Sequence, residues 1–135
     1  MRWKIETFHK ILKSGCRAEE SKLRTAERLV NLISVYCILS WRIFWMTMIN
    51  RVCPDGPPTL ALTKTEITKL DRLMTGTPAS SRKTVSYYLT RIARLGGYLA
   101  RKGDPPPGNT DMWQGITRLA DIVLGLSIAE KIVGN

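Results

Sequence analysis

One acidic and three basic residues lie on the same face of the first predicted helix. At about 100° per residue, Arg2, Glu6 and Lys13 fall within an arc of about 40°, and Lys10 lies at its edge. Taken alone, the pattern favours a solvated face with ion pairs from Glu6 to Arg2 and Lys10, each contributing about 0.2–0.5 kcal/mol. The chemistry that such a face offers is the binding of polyanions, since the chain carries 21 Lys and Arg against 11 Asp and Glu, a net charge of +10.

The other residue types that could do chemistry form no recognisable site in the sequence. His9 is the only histidine, and without cysteine or carboxylate partners at ligand spacing it is expected to be a packing or surface residue. The three cysteines are widely spaced and follow no secretory signal, which predicts reduced thiols and a cytoplasmic protein. The four tryptophans have apolar neighbours on helices, so burial is expected rather than stacking on bases.

The elements that must position these residues are all predicted to be helices. A length of 135 residues suits one domain, and no stretch alternates in the manner of a strand. The apolar periodicity predicts helices over 2–14, from 19 or 25 to 51, over 63–74, over 83–95 and from about 110 onward. Thr63 and Glu66 have the spacing of a capping box. The turn-forming residues 53–58 predict a boundary between residues 1–53 and 54–135.

The apolar segment from Leu29 to Ile49 is long enough to span a bilayer. Arg42 lies inside it, and a charge near the centre of a membrane helix costs about 2.5–3.5 kcal/mol on the insertion scale. A helix buried in a protein core explains the same composition at less cost. We therefore favour a core helix, and a membrane helix stays as the alternative.

The last predicted helix carries an apolar seam with steps of four and three residues, formed by Met112, Ile116, Leu119, Val123 and Leu126. Further apolar residues, including Leu124 and Ile128, lie outside this seam. The helix therefore has more apolar surface than one neighbour needs, which suggests contact with a second copy of the chain. An ordinary core helix at the end of a domain explains the pattern equally well.

The segment from Arg2 to Gly15 resembles a known motif. The spacing of Arg2, Glu6 and Lys13 matches the R-x3-E-x6-K part of the Y-x2-R-x3-E-x6-K signature of bacterial insertion-sequence transposases of the DDE type. The signature's tyrosine would precede Met1. Residues 19–29 with the following apolar helix are similar to the end of that family's ribonuclease-H-like catalytic domain, and residues 92–99 with the Trp113-x-Gly115 helix are similar to its C-terminal dimerisation domain.

The resemblance implies a role for each matched residue. Glu6 would be the third carboxylate of a triad that, with two aspartates, holds two Mg2+ or Mn2+ ions for DNA cleavage and strand transfer. Every aspartate of this chain follows Glu6, whereas the family's two aspartates precede the glutamate, so the fragment is expected to bind no metal stably and to be inactive alone. Arg2, Lys10 and Lys13 would contact the phosphates of transposon-end DNA.

The resemblance also implies that residues 54–135 form a homodimer, or a heterodimer with a full-length transposase, with an interface formed by Trp113, Ile116, Leu119, Val123 and Leu126. Three other interpretations stay open. The chain could be a regulatory module that makes inactive mixed complexes with a full-length transposase, a small basic membrane protein, or a decayed remnant whose first helix exposes an apolar face because its neighbouring strands are absent.

Overall fold

The fold is built from α-helices. The computed structural model describes residues 2–15, 22, 24–73 and 82–134. The α-helices in these ranges are α1 (Arg2–Lys10), α2 (Ala26–Val52), α3 (Lys64–Leu73), α4 (Val85–Leu95) and α5 (Asn109–Val133). No β-strand occurs in the part of the chain so described, which confirms the all-α prediction.

The chain divides into two compact units, residues 1–48 and residues 49–135. The sequence placed its boundary between residues 53 and 54, close to this division. The first unit contains α1 and most of α2, and the second contains α3, α4 and α5. That these units are the end of a catalytic domain and a dimerisation domain stays a prediction.

The sequence predicted a regular α-helix as far as Ser14, but the α-helix ends at Lys10. After Lys10 it continues as a π-helical turn, Ile11–Gly15, which begins with the fully buried Ile11. The backbone hydrogen bonds of a π-helix span one more residue than those of an α-helix, so each residue turns the chain by a smaller angle. Lys13 is therefore rotated away from the position that a regular helix would give it relative to Arg2 and Glu6.

Helix α2 leaves many of its large apolar side chains exposed. Its buried residues are Ser40, Ile43, Phe44 and Met46, whereas Ile38 is 68% exposed. The prediction of a buried core helix is thus wrong for this chain taken by itself. By length and composition α2 could also cross a membrane, a test that core helices and signal sequences pass as well.

Local capping residues fix the starts of α3 and α4. At α3 the capping box is confirmed: Glu66 Oε2 accepts from the Thr63 backbone N–H at 2.9 Å, and Thr63 Oγ1 accepts from the Glu66 N–H at 3.3 Å. At α4, Thr84 Oγ1 accepts from the Tyr87 N–H at 3.3 Å. The predicted end of α3 at Met74 and the predicted start of α2 at Glu19 lie outside the described residues.

Two glycines allow α4 and α5 to pack with their backbones almost in contact. A Cβ atom at Gly115 of α5 would lie 2.0 Å from the Ile92 carbonyl oxygen of α4, and one at Gly96 would lie 1.9 Å from the Asp111 carbonyl oxygen. Either distance is far below a van der Waals contact. The crossing of these two helices therefore requires glycine at both positions, and it buries Ile92 completely.

The predicted apolar seam of α5 divides into two parts. Met112, Ile116 and Leu119 are buried within their own chain, while Val123 and Leu126 are half-buried. Further along, Glu130 accepts hydrogen bonds from Lys69 Nζ and, at 2.7 Å, from Arg72 Nη1 of α3. The first part of α5 is thus a core helix of the second unit, and ionic contacts with α3 hold its last turns.

Candidate functional site

The basic face predicted on α1 is present and open to solvent. Arg2 Nε lies 3.1 Å from Glu6 Oε1, and the two side chains are 95% and 64% exposed. This ion pair joins residues four apart on one helical face, which supports the helix locally. Lys10 is exposed at the end of α1, and Lys13 is exposed in the π-helical turn. One carboxylate and three cations therefore occupy an accessible segment, spread over a wider arc than the sequence predicted.

The donor set around Glu6 does not fit a site for two divalent cations. Two Mg2+ or Mn2+ ions need several hard oxygen ligands, and a catalytic glutamate shares them with other carboxylates. Within the described residues, no three His, Cys, Asp or Glu side chains lie together in a way that could hold a metal. The Glu6 carboxylate instead contacts a guanidinium. What this segment can do chemically with its own residues is attract phosphate.

Several of the aspartates have structural partners in the second unit. Asp104 Oδ2 accepts from the Arg101 N–H at 2.7 Å, and Asp111 Oδ2 accepts from the Gly108 N–H at 3.1 Å at the start of α5. The first closes a turn in the connector, and the second satisfies a free backbone donor at a helix N-terminus. These two carboxylates therefore serve the local fold.

The first unit has an apolar groove between α1 and α2 with a volume of about 470 Å3, lined by Lys4, Ile5, Phe8, Trp41, Phe44, Trp45 and Met48. Trp41 is 58% exposed and Trp45 is 44% exposed, and the Trp41 and Phe44 rings lie 5.6 Å apart. Trp3 is 47% exposed as well. The prediction that the tryptophans are buried is therefore wrong for these three.

An ionic cluster that includes the buried Arg91 in the second unit was not predicted. The Asp71 carboxylate accepts from Lys83 Nζ at 2.6 Å, from the Tyr88 hydroxyl at 2.9 Å and from Arg91 Nη1 at 3.4 Å. Arg91 is only 5% exposed, and its guanidinium lies 4.7 Å from the Tyr87 ring centre. Helix α3 approaches α4 beside Arg91 and places the Asp71 carboxylate against its guanidinium.

The cluster changes the acid–base properties of its members. Burial opposes ionisation of Asp71, yet the hydrogen bonds from Lys83 and Tyr88 outweigh it and hold the pKa of this carboxyl below its ordinary value. Burial, followed by the hydrogen bond to Asp71, raises the pKa of Tyr88. Asp71 is therefore an ionised hydrogen-bond acceptor that joins α3 to α4. This geometry indicates a structural role.

The residues predicted for a dimer interface do not share one exposed surface. Ile116 and Leu119 are 6% and 2% exposed in the single chain, and Trp113, Val123 and Leu126 are half-buried. The large apolar side chains that α5 does expose are Leu124, Ile128, Ile132 and Val133.

No protein-family model matches the chain, and no curated protein matches it significantly.

Proposed function

We propose that this chain is a fragment of an insertion-sequence transposase that binds DNA through α1 and does not cleave it. The observation that carries the proposal is that the side chains of Arg2, Lys10 and Lys13 are exposed, while Glu6, which is paired with Arg2, is the one carboxylate within residues 2–13. The overall charge of +10 supports the same partner, since a strongly basic chain attracts nucleic acid. We also propose that the protein is cytoplasmic and does not bind a membrane.

The chemistry of this face is electrostatic. Cations that contact phosphates release condensed counterions, so the logarithm of the binding constant falls with the logarithm of salt concentration, with a slope of about −0.9 per contact on duplex DNA. Three contacts from Arg2, Lys10 and Lys13 give a slope of about −2.7. Such contacts position DNA without reading its sequence. We therefore expect weak, salt-sensitive binding with little sequence preference.

Cleavage by the intact family's mechanism needs metal ions that activate water and stabilise the leaving oxygen. Glu6 provides one carboxylate toward that requirement, and its described neighbour is Arg2. We therefore propose that Glu6 in this chain affects only the affinity for DNA and takes no part in cleavage. As an anion beside the phosphate-binding cations, it weakens binding, so Glu6→Gln is expected to bind duplex DNA more tightly than the wild type.

The test is a titration of fluorescent duplex DNA with the full chain at several salt concentrations. The triple variant Arg2→Gln, Lys10→Gln, Lys13→Gln should lose most of its affinity and show a slope reduced by up to about 2.7. The matched control is Arg94→Gln, Arg101→Gln, Lys102→Gln, which removes three exposed cations from the second unit. If the two triple variants lose DNA affinity equally, α1 is not a preferred DNA-binding site.

A second measurement separates binding from catalysis. The wild-type chain is incubated with supercoiled plasmid and Mn2+, and no nicking is expected. Nicking that disappears in Glu6→Gln would overturn the proposal that the fragment is inactive. Tighter DNA binding by Glu6→Gln without nicking in either protein would support it.

A regulatory module that associates with other transposase chains is the second candidate function. The observation that favours it is the row of apolar side chains that are exposed on the last turns of α5. Association through these residues does not require the chain to cleave DNA.

A further inference from the structure

The groove between α1 and α2 in the first unit has the dimensions of a small-molecule site. Its volume of about 470 Å3 lies within the range of about 300–1,000 Å3 that such sites occupy. Trp41, Phe44, Trp45 and Met48 line it from α2, and their spacing places them on one face of that helix. This face extends over about 10 Å, seven residues at about 1.5 Å each. The groove therefore fits an elongated molecule that lies along α2.

The lining of the groove selects the chemistry of such a molecule. Ile5 and Phe8 complete an apolar wall from α1, so the body of the ligand must be apolar as well. The polar groups on the described lining side chains are the Lys4 ammonium and the indole N–H groups of the two tryptophans, and all of these are donors. A polar group on the ligand must therefore be an acceptor.

Charge narrows this choice to an anion. Among the described residues that line the groove, Lys4 alone is charged, and no carboxylate is present to neutralise it. Lys4 is exposed, and its Nζ atom lies 5.9 Å from the centre of the Trp3 ring, which keeps the ammonium close to the aromatic surface. Basic residues also outnumber acidic residues in the sequence 1–48. An apolar groove with one cation complements an apolar molecule with one negative charge.

We propose that this groove binds a free medium-chain fatty acid, with its alkyl chain along the aromatic side of α2 and its carboxylate at Lys4 Nζ. The inference goes beyond the proposed function, because Arg2, Lys10 and Lys13 do not line the groove. Burial of the alkyl chain supplies most of the affinity, and each methylene should strengthen binding about fourfold. The Lys4 ammonium selects the carboxylate end.

The size of the groove favours a small molecule over a protein partner. A stable protein interface buries about 800 Å2 on each partner, over about 20–30 residues. The described lining consists of seven residues on two helices, which is too small a surface for such an interface. A single alkyl chain is matched to the width between two neighbouring helices, whereas a partner helix has a diameter of about 10 Å with its side chains.

The experiment is a calorimetric titration of the full chain with decanoate, kept below the concentration at which decanoate forms micelles. Saturable binding of one decanoate per chain is expected. Octanoate should bind about fifteenfold more weakly, because it lacks two methylenes. Decyltrimethylammonium has a ten-carbon chain with the opposite charge, so it should bind more weakly than decanoate. Tryptophan fluorescence should change on decanoate binding, since Trp41 and Trp45 line the groove.

Two variants with matched controls test the site itself. Ile5→Glu places a carboxylate in the groove and should abolish decanoate binding, whereas Val30→Glu makes the same kind of change on α2 outside the groove and should not; the two residues are 60% and 61% exposed. Lys4→Gln should weaken decanoate binding about two- to fivefold and reduce the preference for decanoate over decyltrimethylammonium. Lys10→Gln removes a cation from the same helix outside the lining and should leave that preference unchanged. Circular dichroism of each variant establishes that the helices are retained.

Each alternative occupant of the groove gives a different result. Absence of saturable decanoate binding, wild-type binding by Ile5→Glu, or an unchanged charge preference in Lys4→Gln would overturn the inference. Cosedimentation with phosphatidylglycerol vesicles that Ile5→Glu abolishes would overturn it in favour of a membrane surface. Self-association that Ile5→Glu abolishes would overturn it in favour of a second copy of the chain.

Discussion

The packing of α4 on α5 leads to a quantitative prediction for Gly115→Ala. The added Cβ would lie 2.0 Å from the Ile92 carbonyl oxygen and 2.7 Å from the Ile92 carbonyl carbon. Both are backbone atoms of a helix, which cannot rotate away as a side chain could. The two helices must therefore separate by more than an ångström, which disrupts the packing of the buried Ile92, Ile116 and Leu119.

The expected cost is the difference between two opposing effects. Overpacking of a core typically costs about 1–3 kcal/mol, and we expect the upper end because backbone atoms are involved. Alanine is more favourable than glycine inside a helix by about 0.8–1.0 kcal/mol. The free energy of unfolding of Gly115→Ala should therefore fall by about 2 kcal/mol, measured by urea unfolding followed by circular dichroism.

Gly125→Ala is the matched control, since it is the same substitution in the same helix. A Cβ at Gly125 would meet no atom within 4 Å. Only the gain in helix propensity applies, so the free energy of unfolding should rise by about 0.4–1 kcal/mol. If Gly115→Ala is as stable as Gly125→Ala, the close approach of α4 and α5 is refuted.

Two further predictions concern α3 and α4. Thr84→Ala removes the oxygen that accepts from the Tyr87 N–H and should lower the free energy of unfolding by about 1 kcal/mol, with Thr84→Ser close to wild type; equal loss in both would exclude the capping role. Because folding lowers the pKa of Asp71 below its ordinary value of 3.8, the ionised carboxylate stabilises the folded state at pH values above 3.8. This contribution is lost as the pH falls through the lower pKa of the folded state. Asp71→Asn should remove that acid-dependent loss and destabilise the protein at neutral pH by about 1–3 kcal/mol, whereas Asp55→Asn should change neither.

Features that depend on neighbouring residues in the sequence were predictable. The capping box of Thr63 and Glu66 requires only a spacing of three residues at a helix start, and it forms as expected. The buried face of α4, with Val85, Tyr88 and Leu89, follows from helical periodicity because one face of an amphipathic helix turns toward the core. The Arg2–Glu6 pair likewise needs only four residues of regular helix.

Features that depend on what packs against a helix were not predictable from periodicity. Arg91 lies beside the apolar face of α4 in the sequence pattern, and only the position of Asp71 on another helix explains its burial. Ile116 and Leu119 belong to an apolar seam that could form either a core or a dimer interface. Because Gly115 lets the backbone of α4 approach α5 closely, this part of the seam packs in the core of its own chain. The π-helical turn moved Lys13, because the angular positions assumed for Arg2, Glu6 and Lys13 hold only in a regular α-helix.

The burial of Arg91 limits how this sequence can change over evolution. An arginine stays protonated at every physiological pH, and the Asp71 carboxylate and the Tyr87 ring beside Arg91 stabilise its cationic charge at 5% exposure. Loss of Asp71 alone would take a carboxylate away from this buried cation, and loss of Arg91 alone would leave the carboxylate with fewer donors. In related chains the two positions should therefore be inherited as a pair, with aspartate and arginine retained together or both replaced by uncharged residues.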